Sequence, residues 1–150
     1  MSLTFARESA ADVIAEALPL MHAHWAEVAY DDRPYDPYVA GYLAIDKVGG
    51  MRLFTARDEG GKLVGYVCFT VAPCMNHQTE IHAHEVGTYL APDARRGGAA
   101  SAFLEHAQAA LVAEGVKEIH YRVPTKHPTL GKILMRRGFT HDDNEFVRRY

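Results

Sequence analysis

The chain has 150 residues, of which 48% are hydrophobic and 23% are charged, as is usual for one globular domain with a single core. Its formal net charge of −3 excludes nucleic-acid binding through a strongly basic surface, and no apolar run reaches the ~20 residues that cross a bilayer. The two cysteines, Cys68 and Cys74, are expected about 20 Å apart in one extended strand, too far for a disulfide. We therefore expect one reduced, cytoplasmic domain over residues 1–150, without nucleic-acid or membrane partners.

The first predicted elements are a strand and a long helix. Residues 3–8 are short and β-prone, and Ser9 is the type of residue that caps the start of a helix. The helix carries apolar side chains at three- and four-residue intervals, namely Val13, Ile14, Leu18, Met21, Trp25 and Val28. Because proline removes a backbone donor, Pro19 is expected to kink or break this helix.

A second helix and a hairpin follow. The helix is expected to begin at Asp36-Pro37 and to end at Gly49-Gly50. Its inward-facing residues are predicted to be Val39, Tyr42, Leu43 and Val48. Residues 51–73 are rich in Val, Phe, Tyr and Thr on both sides of Gly60-Gly61, which is typical of two strands joined by a turn.

The second half of the chain alternates strands and helices. The pattern predicts a strand over 81–90, a helix that ends at Gly115, a strand over 117–125, a short helix over 130–137 and a closing hairpin within 139–150. The helix before Gly115 is expected to point four side chains inward, Phe103, Leu104, Ala107 and Leu111. This order predicts helices packed on a largely antiparallel sheet.

The stretch "APDARRGGAASAFLEHA" (91–107) is predicted to bind phosphate. The first backbone N–H groups of a helix lack partners and carry partial positive charge. Glycine and alanine allow a ligand to approach that backbone, and arginine attracts an anion. A P-loop is excluded because the stretch lacks a Gly-Lys-Ser/Thr ending, but a simple flexible turn with solvated arginines is an alternative.

The same stretch resembles the acetyl-CoA signature of the GCN5-related N-acetyltransferases (GNAT). "YLAPDAR" ends a strand, and Arg95-x-x-Gly98-x-Ala100 opens a helix, as in that family's Gln/Arg-x-x-Gly-x-Gly/Ala pattern. "LMRRGFTHDD" (134–143) resembles the family's late helix-to-strand junction. The resemblance covers the whole element order and implies an α/β (α+β) GNAT fold, a mixed, mostly antiparallel central sheet of about six to seven strands flanked by about four helices.

The resemblance implies acetyl-CoA as co-substrate and assigns residues to it. Backbone N–H groups from Arg96 to Ser101 match the pyrophosphate cradle, and Leu90 matches a residue that pairs with the pantetheine arm. The implied coenzyme-binding residues are Tyr89, Leu90, Arg95, Arg96, Gly97, Gly98, Ala99, Ala100 and Ser101. Thr88 matches the position whose backbone N–H is aimed at the thioester carbonyl, beside a strand bulge.

Two residues compete for the role of general base that deprotonates the acceptor amine. His84 lies at the family's base position, on one strand face with His82, and Glu85 lies on the other face. A histidine with a pKa near 6.5 suits proton abstraction at neutral pH. A register slip exchanges the two faces, and a solvated strand end is the alternative without function.

The family's usual general acid is missing. Its tyrosine position, four residues before the glycine of Gly138-Phe139, is Leu134 here. Substitutes are His127, Tyr121 and Tyr89. Because a thiolate is a tolerable leaving group near neutral pH, turnover does not require an acid, although the usual route is put in doubt.

The expected activity is transfer of an acetyl or similar short acyl group to a primary amine of a small molecule or peptide. His24, Glu27 and His82 are the candidate acceptor-binding residues, whereas Trp25 fits the apolar helix face and is expected in the core. No metal is expected. The family resemblance leaves a homodimer open.

A second function class also remains open. His77, His82 and His84 surround one loop and strand, and alternating histidines on a strand can ligate a metal ion. The alternative is therefore a non-catalytic domain that binds coenzyme A, or a His-rich metal-binding regulatory domain.

Overall fold

The structure is a computed structural model, and it describes residues 2–150. The elements in chain order are β1 (Thr4–Glu8), α1 (Ala10–Val28), α2 (Val39–Lys47), β2 (Met51–Arg57), β3 (Leu63–Pro73), β4 (Ile81–Leu90), a 3₁₀ turn (Pro92–Ala94), α3 (Ala99–Ala113), β5 (Val116–His120) and α4 (Thr129–Arg136). No helix in this part of the chain combines the length and apolar character needed to cross a membrane.

The strands form one sheet in the order β1-β2-β3-β4-β5. All neighbours are antiparallel except β4 and β5, which are parallel, so the predicted mixed and mostly antiparallel sheet is confirmed. The predicted strand number is wrong, because residues 2–150 contain five strands and no closing hairpin. Residues 141–150 are exposed throughout, and Phe146 is 93% exposed, so this segment buries no apolar face that would hold it against the sheet.

Two apolar cores lie on opposite faces of this sheet. One is packed under α3 and α4, and it contains all four side chains predicted to point inward from α3, Phe103, Leu104, Ala107 and Leu111. The other is packed under α1 and includes Val13, Ala17 and Met21. The strand predicted over 81–90 is also confirmed.

Three predictions about the helices and strands are wrong in detail. The helix break expected at Pro19 does not occur, and α1 continues through it. Pro19 is on the exposed face while Ala17 and Met21 are buried on the sheet, so the lost hydrogen bond is left to solvent. Val48 lies beyond α2 and is 82% exposed. Strand β5 ends at His120 rather than at residue 125. The missing part of the predicted strand contains Pro124, which has no N–H to donate to a strand ladder.

Candidate active site

A fork opens between the two parallel strands. Opposite β3, Glu85 pairs with Phe69 and Gly87 pairs with Cys68, so Val86 is an unpaired bulge residue. Opposite β5, pairing of β4 ends at His84 and His120. Beyond this point β4 continues to Leu90 without a strand partner on that side, so its backbone groups are open to an extended ligand.

The glycine-rich loop leads from this fork into α3. Gly97 and Gly98 have φ of +58° and +79°, a left-handed conformation that other residues rarely adopt. The Ala99 N–H donates to the Arg96 carbonyl, so it is not free for a ligand as the resemblance implies. The N–H groups of Ala100 and Ser101 make no backbone hydrogen bond outside the helix within residues 2–150, as expected for a helix start that binds an anion.

Arg95 is engaged with the protein itself. Its Nη2 donates to both carboxylate oxygens of Glu27, at 2.8 and 2.9 Å, and its Nε donates to the Leu90 carbonyl at 2.5 Å. The guanidinium lies 5.3 Å from the centroid of the Tyr89 ring. Glu27 therefore connects α1 to the loop through Arg95, and neither side chain is free for the phosphate or acceptor role first expected of it. Arg96 is exposed and has no ion pair within residues 2–150.

A cleft between the start of α3 and the end of α4 contains further arginines. It has a volume of about 410 Å³ and is lined by Ser101, Ile133, Arg136 and Arg137. Arg137 donates to Gln108 Oε1 from Nε and Nη2, at 3.1 and 3.0 Å, which fixes its position. These two arginines were not among the site residues predicted from the sequence. The sequence feature that could have identified them is two consecutive arginines at the end of a short amphipathic helix.

Glu85 lies at the fork, next to the bulge. Burial raises the pKa of its carboxyl to about 7, while the Thr88 hydroxyl and the backbone and charge of Arg122 oppose this rise. Thr88 is close enough to lower the Glu85 pKa, but its buried Oγ1 makes no hydrogen bond of normal geometry within residues 2–150. The carboxyl can therefore exchange a proton near neutral pH.

The two strand histidines lie away from Glu85. His84 is exposed and stacks on His120, with ring centroids 4.4 Å apart and an interplanar angle of 9°. Desolvation, followed by the neighbouring His120 and His82, lowers the pKa of His84. His82 is buried, with Nε2 2.9 Å from Glu80 Oε2.

His24 lies beside the fork. Its Nδ1 is 2.8 Å from the Tyr66 hydroxyl, and its ring stacks on Tyr89. A side chain at Gly87 would contact the His24 ring at 3.6 Å. Among the three acceptor-binding candidates, His24 is thus the one that reaches the bulge, whereas His82 and Glu27 have partners elsewhere.

A second cavity lies between α1, α2 and the sheet, and it extends to Val86 and Gly87. Its volume is about 240 Å³. The lining residues are Ala10, Ile14, Ala17, Met21, His24, Trp25, Val28, Tyr35, Tyr42, Met51, Leu53, Tyr66, Cys68, Val86 and Gly87. Trp25 stacks on Tyr35, so it lines this cavity rather than only packing in the core. The lining includes no Asp, Glu, Lys or Arg, and this apolar, aromatic character is typical of small-molecule sites.

The candidate substitutes for the missing general acid differ in their positions and contacts. Leu134, at the family's tyrosine position, is buried in the core at 5% exposure. Burial raises the pKa of Tyr121, and the charge of Glu85 contributes to this rise. The Tyr121 hydroxyl accepts a hydrogen bond from Gln108 Nε2 at 3.2 Å. His127 and Tyr89 instead adjoin the Glu27 carbonyl and Arg95.

Solved structures with the same architecture include known acetyltransferases. A ribosomal-protein-alanine N-acetyltransferase from Brucella melitensis biovar Abortus 2308 superposes with a TM-score of 0.77 at 19% identity, covering 99% of this chain and 100% of that one. An aminoglycoside acetyltransferase from an uncultured soil metagenomic sample, in complex with sisomicin, has a TM-score of 0.72 at 14% identity, covering 99% and 94%. A protein from Clostridium acetobutylicum described as a predicted acetyltransferase, solved with acetyl-CoA, has a TM-score of 0.72 at 11% identity, covering 99% and 96%. At these identities, the likeness shows the fold alone.

The fold, the strand fork and the glycine-rich helix start together have the architecture of these solved structures. The sequence profile of the acetyltransferase (GNAT) family matches residues 15–137, which is most of the chain. The chain therefore belongs to the acetyltransferase (GNAT) family and is an N-acetyltransferase. No curated protein matches it in sequence.

Proposed function

We propose that the chain transfers an acetyl group from acetyl-CoA directly to a primary amine inside the fork between β4 and β5. The observation that carries this proposal is the position of the fork, which continues into a helix start with two left-handed glycines. The pantetheine arm pairs with the open edge of β4 near Leu90, and the thioester carbonyl faces the Thr88 N–H. Ala100, Ser101 and the arginine-lined cleft then receive the phosphates.

Glu85 is the general base of this proposal. The acceptor arrives as an ammonium, and Glu85 accepts its proton directly or through water. The amine nitrogen forms a bond to the thioester carbonyl carbon and releases its second proton to solvent. The C–S bond breaks, and the electron pair leaves on the coenzyme thiolate, which takes a proton from solvent. A carboxyl with a pKa of about 7 is suited to this task near neutral pH, and it lies at the bulge, unlike His84.

No tyrosine acid is part of this mechanism. Burial raises the pKa of Tyr121, whereas a thiol has a pKa of about 8.5. Proton transfer from Tyr121 to the departing thiolate would therefore be uphill. Tyr121 instead packs beside Glu85 and maintains its desolvation, and the thiolate leaves without an acid.

The acceptor is an amine on an apolar or aromatic group of modest size. The cavity of about 240 Å³ next to Val86 offers rings and aliphatic side chains, and no carboxylate in its lining attracts several ammonium groups. This favours an amino acid, an aromatic amine or a peptide terminus over a polycation such as an aminoglycoside.

The direct test is a thiol-release assay with acetyl-CoA and a panel of amines at equal concentration. The panel pairs phenylethylamine and tyramine with an N-terminal alanyl peptide, spermidine and an aminoglycoside. We expect the highest kcat/KM with the aromatic amines. Binding of coenzyme A by calorimetry without thiol release on any amine would instead support a non-catalytic coenzyme-binding domain.

A further inference from the structure

Three imidazoles meet on one sheet face at the base of the fork. His82 and His84 belong to β4, and His120 ends β5 directly opposite His84. One nitrogen of each ring lies within 4.8 Å of the corresponding nitrogens of the other two. Around a tetrahedral ion with metal–nitrogen bonds of 2.0–2.1 Å, ligand nitrogens are about 3.4 Å apart. Because an imidazole binds a metal in the plane of its ring, His84 and His120, which are stacked at an interplanar angle of 9°, must also turn out of this stack by side-chain rotation.

The surroundings of the three rings suit a cation. His82 Nε2 is 2.9 Å from Glu80 Oε2, and His120 Nε2 is 3.2 Å from Glu118 Oε2. A carboxylate on one ring nitrogen orients an imidazole whose other nitrogen binds a metal, and this arrangement suits His82. His120 Nε2 is buried and makes no hydrogen bond of normal geometry within residues 2–150, so the nearby Glu118 carboxylate leaves this nitrogen able to bind a cation.

The three rings are also packed against one another. His84 and His120 stack face to face at 4.4 Å, and the His82 and His120 centroids are 5.5 Å apart.

We propose that His82, His84 and His120 bind one divalent transition-metal ion of the zinc class, with a water molecule in the fourth position. The exposed His84 gives solvent access to the site. His77, which the sequence placed with the two strand histidines, is exposed, with its ring centroid 6.4 Å from that of His82, and is not part of the cluster. His120, a residue that the sequence did not connect with them, takes its place.

The ion would connect β4 and β5 at their last residue pair, His84 and His120. His84 precedes Glu85 and lies on the opposite face of the sheet. The ion therefore acts on the geometry of the fork, and it takes no part in the proton transfer assigned to Glu85. The expected role is to hold the two strands at a fixed separation.

The test is calorimetry with Zn²⁺ on full-length protein that carries no polyhistidine tag and has been dialysed against a chelator. We expect one ion per chain, and visible absorbance of a tetrahedral Co²⁺ complex on substitution with Co²⁺. His84→Ala and His120→Ala are each expected to weaken Zn²⁺ binding at least ~10-fold. His141→Ala, a histidine in the exposed C-terminal segment, is the matched control and binds as the wild type does.

Circular dichroism of each variant checks that it is folded before titration. Wild-type binding that is absent, or equal in His84→Ala, His120→Ala and His141→Ala, would overturn the proposal. Because the readout is metal binding and not activity, this result is separate from the success or failure of the acetyltransferase assay.

Discussion

Glu85→Gln tests the proposed base through both activity and stability. The variant keeps the shape of the side chain but removes its titration. A general base contributes about 10²–10⁴-fold to rate, so kcat/KM is expected to fall by that factor. In the wild type, kcat/KM is expected to fall tenfold for each pH unit below about 7, where the Glu85 carboxyl becomes protonated.

The raised pKa of Glu85 also predicts that the Glu85→Gln variant is more stable than the wild type at high pH. Raising the carboxyl pKa from 4.5 to about 7 corresponds to roughly 3 kcal/mol, at 1.36 kcal/mol for each pKa unit. Below pH 4.5 the group is protonated in both folded and unfolded chains and contributes nothing. Between pH 4.5 and 7 the unfolded chain loses its proton first, so the wild type loses stability as pH rises, and above pH 7 the full cost remains. Glu85→Gln removes this cost, so it is expected to be more stable than the wild type at pH 8 and similar to it at pH 4.5.

The assays are steady-state thiol release from pH 6 to 9 and urea unfolding at pH 4.5 and 8. Asp142→Asn, which neutralises an exposed carboxylate in the C-terminal segment, controls for the loss of one negative charge. His84→Ala measures the competing base. Full activity of Glu85→Gln together with a large loss in His84→Ala, or a Glu85→Gln variant no more stable than the wild type at pH 8, would refute the assignment.

Variants at four further positions test the rest of the site and the core. Gly98→Glu is expected to abolish calorimetric binding of coenzyme A, while Gly98→Ala, which adds only strain at φ +79°, retains it; equal binding by both contradicts a phosphate at this loop. Arg136→Ala should raise KM for acetyl-CoA by about tenfold through a lost charge-assisted contact, without a matching change in KM for the amine. Tyr121→Phe should change kcat by less than about threefold if the thiolate leaves unaided. Leu111→Ala, at a fully buried position, should lower the free energy of unfolding in urea by about 2–5 kcal/mol.

Local patterns in the sequence were sufficient to predict most of the secondary structure. The three- and four-residue spacing of Phe103, Leu104, Ala107 and Leu111 identified the buried face of α3, and all four are buried. Gly97 and Gly98 were recognised as a loop that tolerates close approach, and both have positive φ. Features of this kind depend on neighbours along the chain, so a linear reading can find them. The closing hairpin was the main error in the fold, because β-prone residues near the C-terminus bury no face.

What the residues do in the site depended on contacts between distant segments. Sequence alone could place Arg95 at a coenzyme loop, but not show that Glu27, 68 positions away, takes up its guanidinium. It could not show that Arg136 lies near Ser101 or that His120 lies near His84. Nor could it show that burial raises the pKa of Glu85 to about 7. Periodicity fixes which side of an element is apolar, whereas charge pairing and desolvation depend on distances in space. Those distances exist only once the strands and helices have packed.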